Sequence, residues 1–147
     1  MVSWDLAAFR PKFPRLAPTN SRWKSPSDPN YNCIAFAAGV NDIWWEPDSL
    51  YQLFWPLAAE REYTIRAYLK AFGTQGYLPS NDGNLEAHVH KVALYAFGTR
   101  PTHAARQLPD GWWASKLGEN IDIEHTVDAL NGGDYGDIVY FLEKRLS

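Results

Sequence analysis

A chain of 147 residues with an apolar fraction of 46% is long enough to bury one core without disulfides or metals. The net charge of -3 and the pI near 5.7 disfavour nucleic-acid binding, because no basic excess is available for phosphates. The single cysteine excludes an intramolecular disulfide and a multi-thiolate zinc site.

The sequence also suggests a compartment. No stretch approaches the roughly 20 apolar residues of a membrane span. The first 16 residues lack the apolar region of a signal peptide. We therefore expect a cytoplasmic protein without a membrane span, and export by a dedicated secretion system stays open.

Residues 1–29 predict an extended strap. Five prolines prevent any long regular element there, and four aromatic residues are spread along the same stretch. Disordered segments are poor in aromatic residues, so we expect the strap to pack on the body of a single domain, 1–147. The rest of that domain divides into a helical half over 30–76 and a sheet half over 77–147.

The helical half opens on the only cysteine. Cys33 stands where a turn-forming segment meets an apolar run that ends at Gly39, which predicts a short buried helix. That helix starts either after Asp28 or after Asn32. Only the second start puts the thiol in the first turn, where the helix dipole and unpaired N–H groups favour the thiolate.

The remaining elements follow from hydrophobic periodicity and turn residues. We predict a second helix over 58–72, strands over 91–97, 102–108 and 112–117 with a hairpin at 109–111, a short helix capped by 122–126, and a closing helix over 138–146. The predicted class is α+β, with N-terminal helices packed on a small antiparallel sheet and the cysteine at a helix N-terminus.

His103 is the candidate base. It lies near the start of the middle predicted strand, after a Gly/Pro turn and before small residues. An imidazole facing a thiol can take its proton and create a nucleophile at neutral pH. A third polar group must orient the ring: the carboxylates of Asp122 and Glu124 are the chemically better candidates, and Ser115 is another.

The aromatic fraction of 15%, with seven tryptophans, suggests a groove beside the thiol. Adjacent tryptophans cannot all point inward on one backbone. Asn30, Asn32 or the Cys33 N–H could supply an oxyanion hole. The predicted substrate-binding residues are Asn30, Tyr31, Asn32, Trp44, Trp45 and Trp113.

The order of Cys, His and a following polar residue resembles the papain-like superfamily of cysteine peptidases and amidases. In size the chain is similar to the compact cell-wall endopeptidase branch, where a Tyr precedes the Cys by two positions, as Tyr31 does here. Ser115 follows His103 at the spacing of that branch's third residue. Ile34-Ala35 departs from the expected Ser-Gly, and papain's Cys-Gly-Ser-Cys-Trp is absent.

The segments YNCIAFAAG, THAARQLPDGWWASKLG and DIEHTVDAL are also similar to an uncharacterised bacterial domain family. The papain-like resemblance implies a thiol hydrolase or transferase that acts on an amide or acyl bond of a protein or peptide without a cofactor. Bacterial domains of this type often serve as effectors, toxins or wall hydrolases.

Other interpretations compete with this one. His88 and His90 have a spacing that suits zinc, with His103 or His125 as a third ligand. Turn residues and charges flank them, so we expect no metal. His125 beside Glu124 predicts helix capping and packing. The alternative function is a catalytically silent interaction domain that binds a protein through a tryptophan-rich surface.

Overall fold

The computed structural model describes residues 9–25, 32–39, 44–117 and 121–146. These residues form a seven-stranded antiparallel sheet and two short helices. The helices are α1 (Cys33–Ala37) and α2 (Ile65–Gly73). The strands are β1 (Ser21–Ser25), β2 (Leu78–Ser80), β3 (Val89–Phe97), β4 (Arg100–Gln107), β5 (Trp113–Lys116), β6 (Asp122–His125) and β7 (Asp137–Arg145). Their order, β1-β6-β5-β4-β3-β7-β2, places β4 at the centre.

The predicted α+β class is therefore wrong, because the fold is mainly β. The predicted closing helix over 138–146 is strand β7, which pairs with β3 from Asp137 to Arg145. Its run of β-branched and aromatic residues fits a strand, and periodicity alone does not separate such a run from a helix. The predicted helix cap over 122–126 is mostly β6.

Of the two starts that the sequence left open for the first helix, α1 takes the one after Asn32. Asn32 is the N-cap, and its Oδ1 accepts the N–H of Ala35 at 3.1 Å, so Cys33 is the first helical residue. Helix α2 is shorter than predicted, because Thr64 caps it and the residues before it form turns. The three predicted strands and their hairpin are confirmed as β3, β4 and β5.

Side chains alternate between two buried faces of the sheet. One face packs against α1 and α2 through Val92, Leu94, Ala104, Ala114 and Leu142. The other face is covered by Phe13 and Leu16 from the described part of the strap and by Ala129 and Leu130. The middle parts of β3 and β4 are thus buried on both sides, and β3 has the apolar run that such burial favours.

A β-bulge interrupts the central pairing of β3 with β4. Tyr95 lies opposite His103, but Ala96 lies opposite Pro101, so Thr102 is the extra residue. A bulge bends its strand and re-aims nearby side chains. This one lies next to the predicted base.

Gly136 lets the turn after β6 approach the end of β3. It adopts φ +75°, and an added Cβ would overlap the carbonyl oxygen of Ala96. Gly98 adopts φ +64° but has open space around it, which makes it a matched control for the backbone conformation alone.

We expect Gly98→Ala to lower the free energy of unfolding by about 1–2 kcal/mol, the usual cost of the left-handed conformation. Gly136→Ala should lose about 1–3 kcal/mol more through overpacking. Urea unfolding of both variants measures the difference. Equal losses would show that the close approach to Ala96 costs nothing.

Candidate functional site

The sulfur of Cys33 lies against the middle of the sheet at the start of α1. Backbone N–H groups of Ala104 and Ile34 point toward it, and together with the N–H of Cys33 itself they act to lower the thiol pKa. Burial outweighs them and raises the pKa of Cys33 to about 11. The prediction that Cys33 is a thiolate is therefore wrong for the protein without substrate, because its thiol is protonated at neutral pH.

The imidazole of His103 is fully buried. Its ring stacks on Tyr135 with centroids 4.0 Å apart and planes 5° apart. Its Nε2 lies 2.9 Å from Ser115 Oγ, whereas its buried Nδ1 makes no hydrogen bond with any described residue. Burial, with a smaller contribution from His125, lowers the pKa of His103 well below 6.5, so the ring is neutral.

Cys33 and His103 lie on opposite faces of β4, next to its bulge. The strand N–H that bonds to the sulfur belongs to Ala104, the residue directly after His103. Cys33 packs in the cluster on the helix face, while the His103 ring contacts Tyr135 across the strand. No hydrogen bond joins the Cys33 sulfur to Nδ1. The backbone of β4 thus separates the predicted thiol from the predicted base, and the two form no ion pair.

A pocket of about 230 Å³ opens beside Cys33. Three predicted groove residues, Asn32, Trp44 and Trp45, line it together with Cys33. Asn32 donates one amide hydrogen bond to the carbonyl of Trp45 at 2.7 Å, and its Oδ1 accepts two backbone N–H groups. Asn32 therefore shapes the pocket wall. Ile34, Glu46, Tyr68 and Thr102 complete the lining.

Of the three candidates for the group that orients the imidazole, Ser115 is the one within hydrogen-bond distance. Glu124 instead accepts a hydrogen bond from Arg22 at 2.7 Å. Asp122 lies opposite Lys116 in the β5–β6 pairing and makes no bond to His103. Although the Ser115 side chain is shorter than those of Asp122 and Glu124, its hydroxyl reaches the ring because Ser115 points to the same face of the sheet as His103.

Other predicted residues lie elsewhere. Trp113 is 2% exposed and belongs to the core on the His103 face, so it does not line the pocket. Asn30 and Tyr31 lie outside the described residues. Within the described part of the chain, no group of three His, Cys, Asp or Glu side chains is placed to hold a metal ion.

Sequence reasoning missed two residues around the imidazole. His125 Nε2 lies 2.7 Å from Ser115 Oγ, although the sequence suggested helix capping for this histidine. The alternation of polar and less polar residues in Asp-Ile-Glu-His could have indicated a strand here. In a strand Ile123 and His125 point to the same face. Tyr135, which stacks on His103, lies in a glycine-rich turn whose path no local pattern predicts.

Comparison with known protein families finds a match for residues 22–143. They match the family described as "Domain of unknown function (DUF7689)". The chain belongs to this family. No curated protein and no solved structure matches the chain significantly. Neither helix among the described residues is long and apolar enough to cross a membrane.

Acid should destabilise the protein through its buried histidines. Burial lowers the pKa of His125 from 6.5 to about 4, against smaller opposing effects of the Thr126 carbonyl and Asp128. Between these values the unfolded state binds more protons, so the free energy of unfolding falls as the pH falls. His125 alone should contribute a loss of about 3 kcal/mol, and the lowered pKa of His103 acts in the same direction.

Urea unfolding at stepped pH measures this loss. Near pH 5 we expect His125→Gln to reduce the slope of stability against pH by about 1.4 kcal/mol per unit, since one titrating group is removed. His90→Gln, which removes an exposed histidine of β3, is the matched control and should keep the original slope. An unchanged slope in His125→Gln would contradict the neutral, buried state of His125.

Proposed function

We propose that this protein is a thiol-dependent hydrolase or transferase that acts on an amide or acyl bond. Cys33 is the nucleophile, His103 is the general base and acid, and Ser115 orients the imidazole. The pocket beside Cys33 receives the acyl group. We further propose protein or peptide substrates and a cytoplasmic location, in line with the sequence.

The buried Nδ1 of His103 carries this proposal. A buried ring nitrogen without a partner is costly, and such groups in native structures usually have a purpose. The other ring nitrogen is held 2.9 Å from Ser115 Oγ, which leaves Nδ1 as the basic atom. The thiol that bonds to the N–H of Ala104, the next residue of the strand, lies on the opposite face of β4.

The chemistry then follows the general course of thiol catalysis. Once substrate binding has brought the two groups together, the Cys33 proton moves to His103 Nδ1 as the sulfur attacks the carbonyl carbon, whose π electrons move to oxygen. Collapse of the tetrahedral intermediate expels the leaving group, which takes the proton from Nδ1. An acyl–sulfur bond remains on Cys33. Water or another nucleophile, deprotonated by the same nitrogen, releases the acyl group.

In the resting state the backbone of β4 separates the sulfur from His103, so the proposed transfer requires the two groups to come together when substrate binds. Hydrogen bonds between catalytic groups are often long before substrate binds and shorten in the complex. The N–H groups of Ala104 and Ile34 already lie at the sulfur, so they stabilise negative charge as it develops there. Neutral partners need no buried ion pair, which would be expensive to maintain in this core.

Acylation by p-nitrophenyl acetate tests the proposal, because any thiol adduct must lie on the single cysteine. We expect acetylation of Cys33 to be nearly independent of pH above neutrality. His103→Gln should slow it by about 10²-fold or more near pH 7.5, the usual contribution of a general base. The rate of that variant should then rise tenfold per pH unit toward the thiol pKa of about 11. Nitrophenolate release and intact mass report the reaction.

Two variants serve as controls for this experiment. Cys33→Ser should lose the adduct, and His90→Gln should react like the unmodified protein because His90 is exposed on β3. Circular dichroism and the thermal midpoint establish that each variant is folded. Equal rates and equal pH profiles for folded His103→Gln and the unmodified protein would exclude His103 as the base.

An exposed apolar loop favours a second function, protein binding. Three of the tryptophans, Trp45, Trp55 and Trp113, are buried, so they cannot form the predicted tryptophan-rich surface. Instead Leu50 is 73% and Leu57 102% exposed. The neighbouring Tyr51 and Phe54 are exposed as well.

Polar contacts hold this loop in place. Arg61 donates to Asp48 Oδ1 at 2.9 Å and to the carbonyl of Leu53 at 3.1 Å, and Asp48 accepts the N–H groups of Gln52 and Leu53. The Phe54 ring lies 5.5 Å from the ring of Trp45, which lines the thiol pocket. A rigid apolar projection beside a pocket is typical of an interaction surface.

A random peptide library displayed on phage tests the binding function. Peptides selected on the unmodified protein should lose binding to a Leu50→Asp/Leu57→Asp double variant, because these exposed side chains supply apolar contact area. They should keep binding to Cys33→Ser. Recovery of no peptide that depends on this loop would argue against a binding role.

A further inference from the structure

Four groups form a continuous buried polar chain behind the proposed base. His103 Nε2 lies 2.9 Å from Ser115 Oγ, and Ser115 Oγ lies 2.7 Å from His125 Nε2. His125 Nδ1 lies 2.8 Å from the carbonyl oxygen of Thr126. The side chains of His103, Ser115 and His125 are fully buried, so these groups depend on one another for hydrogen bonding.

The direction of every hydrogen bond in this chain follows from its last member. A carbonyl oxygen only accepts, so His125 Nδ1 must carry the proton. His125 Nε2 then has a lone pair and accepts the hydroxyl proton of Ser115. The oxygen of Ser115 is left to accept, so His103 Nε2 carries a proton and its Nδ1 has the lone pair.

Both rings must be neutral for this deduction to hold. Burial lowers the pKa of each imidazole, to about 4 in His125. The ionisable groups facing the chain are Tyr95, whose ring centroid lies 5.2 Å from that of His103, Tyr135 stacked on it, and Asp128 near His125. Burial raises the pKa of Tyr95, so its hydroxyl is also neutral.

We propose that His125 is a positioning residue that fixes His103 in the Nε2–H tautomer through Ser115. This inference rests on the proposed function, because the tautomer matters only if Nδ1 serves Cys33. Stacking on Tyr135 already fixes the plane of the His103 ring. What the stacking does not determine is which ring nitrogen of His103 carries the proton. The backbone carbonyl of Thr126 determines this through the hydrogen bonds of His125 and Ser115.

Long-range ¹H–¹⁵N correlation spectra of protein labelled with ¹⁵N-histidine test the tautomers directly. We expect His125 to show Nδ1–H and His103 to show Nε2–H. In His125→Leu the Ser115 hydroxyl loses its acceptor and donates to His103 Nε2, so His103 should shift to Nδ1–H. Acetylation of Cys33 by p-nitrophenyl acetate should then slow by about 10²-fold or more, as expected for a base in the wrong tautomer.

Further variants separate this inference from the proposed function. His125→Gln offers an oxygen acceptor to Ser115 and should retain the Nε2–H tautomer of His103 and most of the acetylation rate. Ser115→Ala breaks the chain with a smaller change in volume than His125→Leu and should yield mixed tautomers. Cys33→Ser should leave both histidine spectra unchanged.

Two outcomes overturn the inference. One is an Nδ1–H signal for His103 in the unmodified protein, whatever the reactivity of Cys33. The other is a His125→Leu variant whose His103 has changed tautomer but whose acetylation rate is unchanged. Expected tautomers in a protein whose Cys33 is never acetylated would instead overturn the proposed function alone.

Discussion

The position of β4 at the centre of a sheet covered on both faces is the constraint on which the rest of the structure depends. Burial from both sides favours small residues: Ala104 is fully buried toward α1, and Ala105 is fully buried on the other face. Because Ala104 has no bulk, the start of α1 can approach the strand until its cysteine sulfur bonds to a backbone N–H. The same strand directs His103 to the other face. The two proposed reactive groups therefore lie on opposite faces of one strand.

Burial also determines the electrostatics of the site. It raises the pKa of the Cys33 thiol and lowers the pKa of both histidines, so every member is neutral at rest. A neutral site avoids the desolvation cost of a buried ion pair. The direction of the hydrogen bonds, and not a neighbouring charge, then determines which atom can act as the base. In this arrangement Ser115 and His125 control which nitrogen of His103 is basic. Charge would develop only when a substrate carbonyl is present.

Local signals predicted some elements well and others badly. Strand β3 carries strong β-propensity, and a Pro-Asp-Gly turn marks the hairpin between β4 and β5, so local sequence is enough to predict them. The Asn32 cap likewise depends on one side chain and its own backbone. The last strand, β7, was predicted as a helix because a short apolar run suits either state, and only pairing with β3 decides between them.

The sequence by itself determined the chemistry available: one thiol at a helix start, a histidine on a central strand, and Ser115 among the candidates behind it. It favoured Asp122 and Glu124, because their carboxylates are better partners for an imidazole. Only the tertiary structure decided that Ser115 and His125 reach His103, since strand register selects which side chains share a face. Burial, which raises the Cys33 pKa, is likewise a property of the packed molecule and not of any local segment.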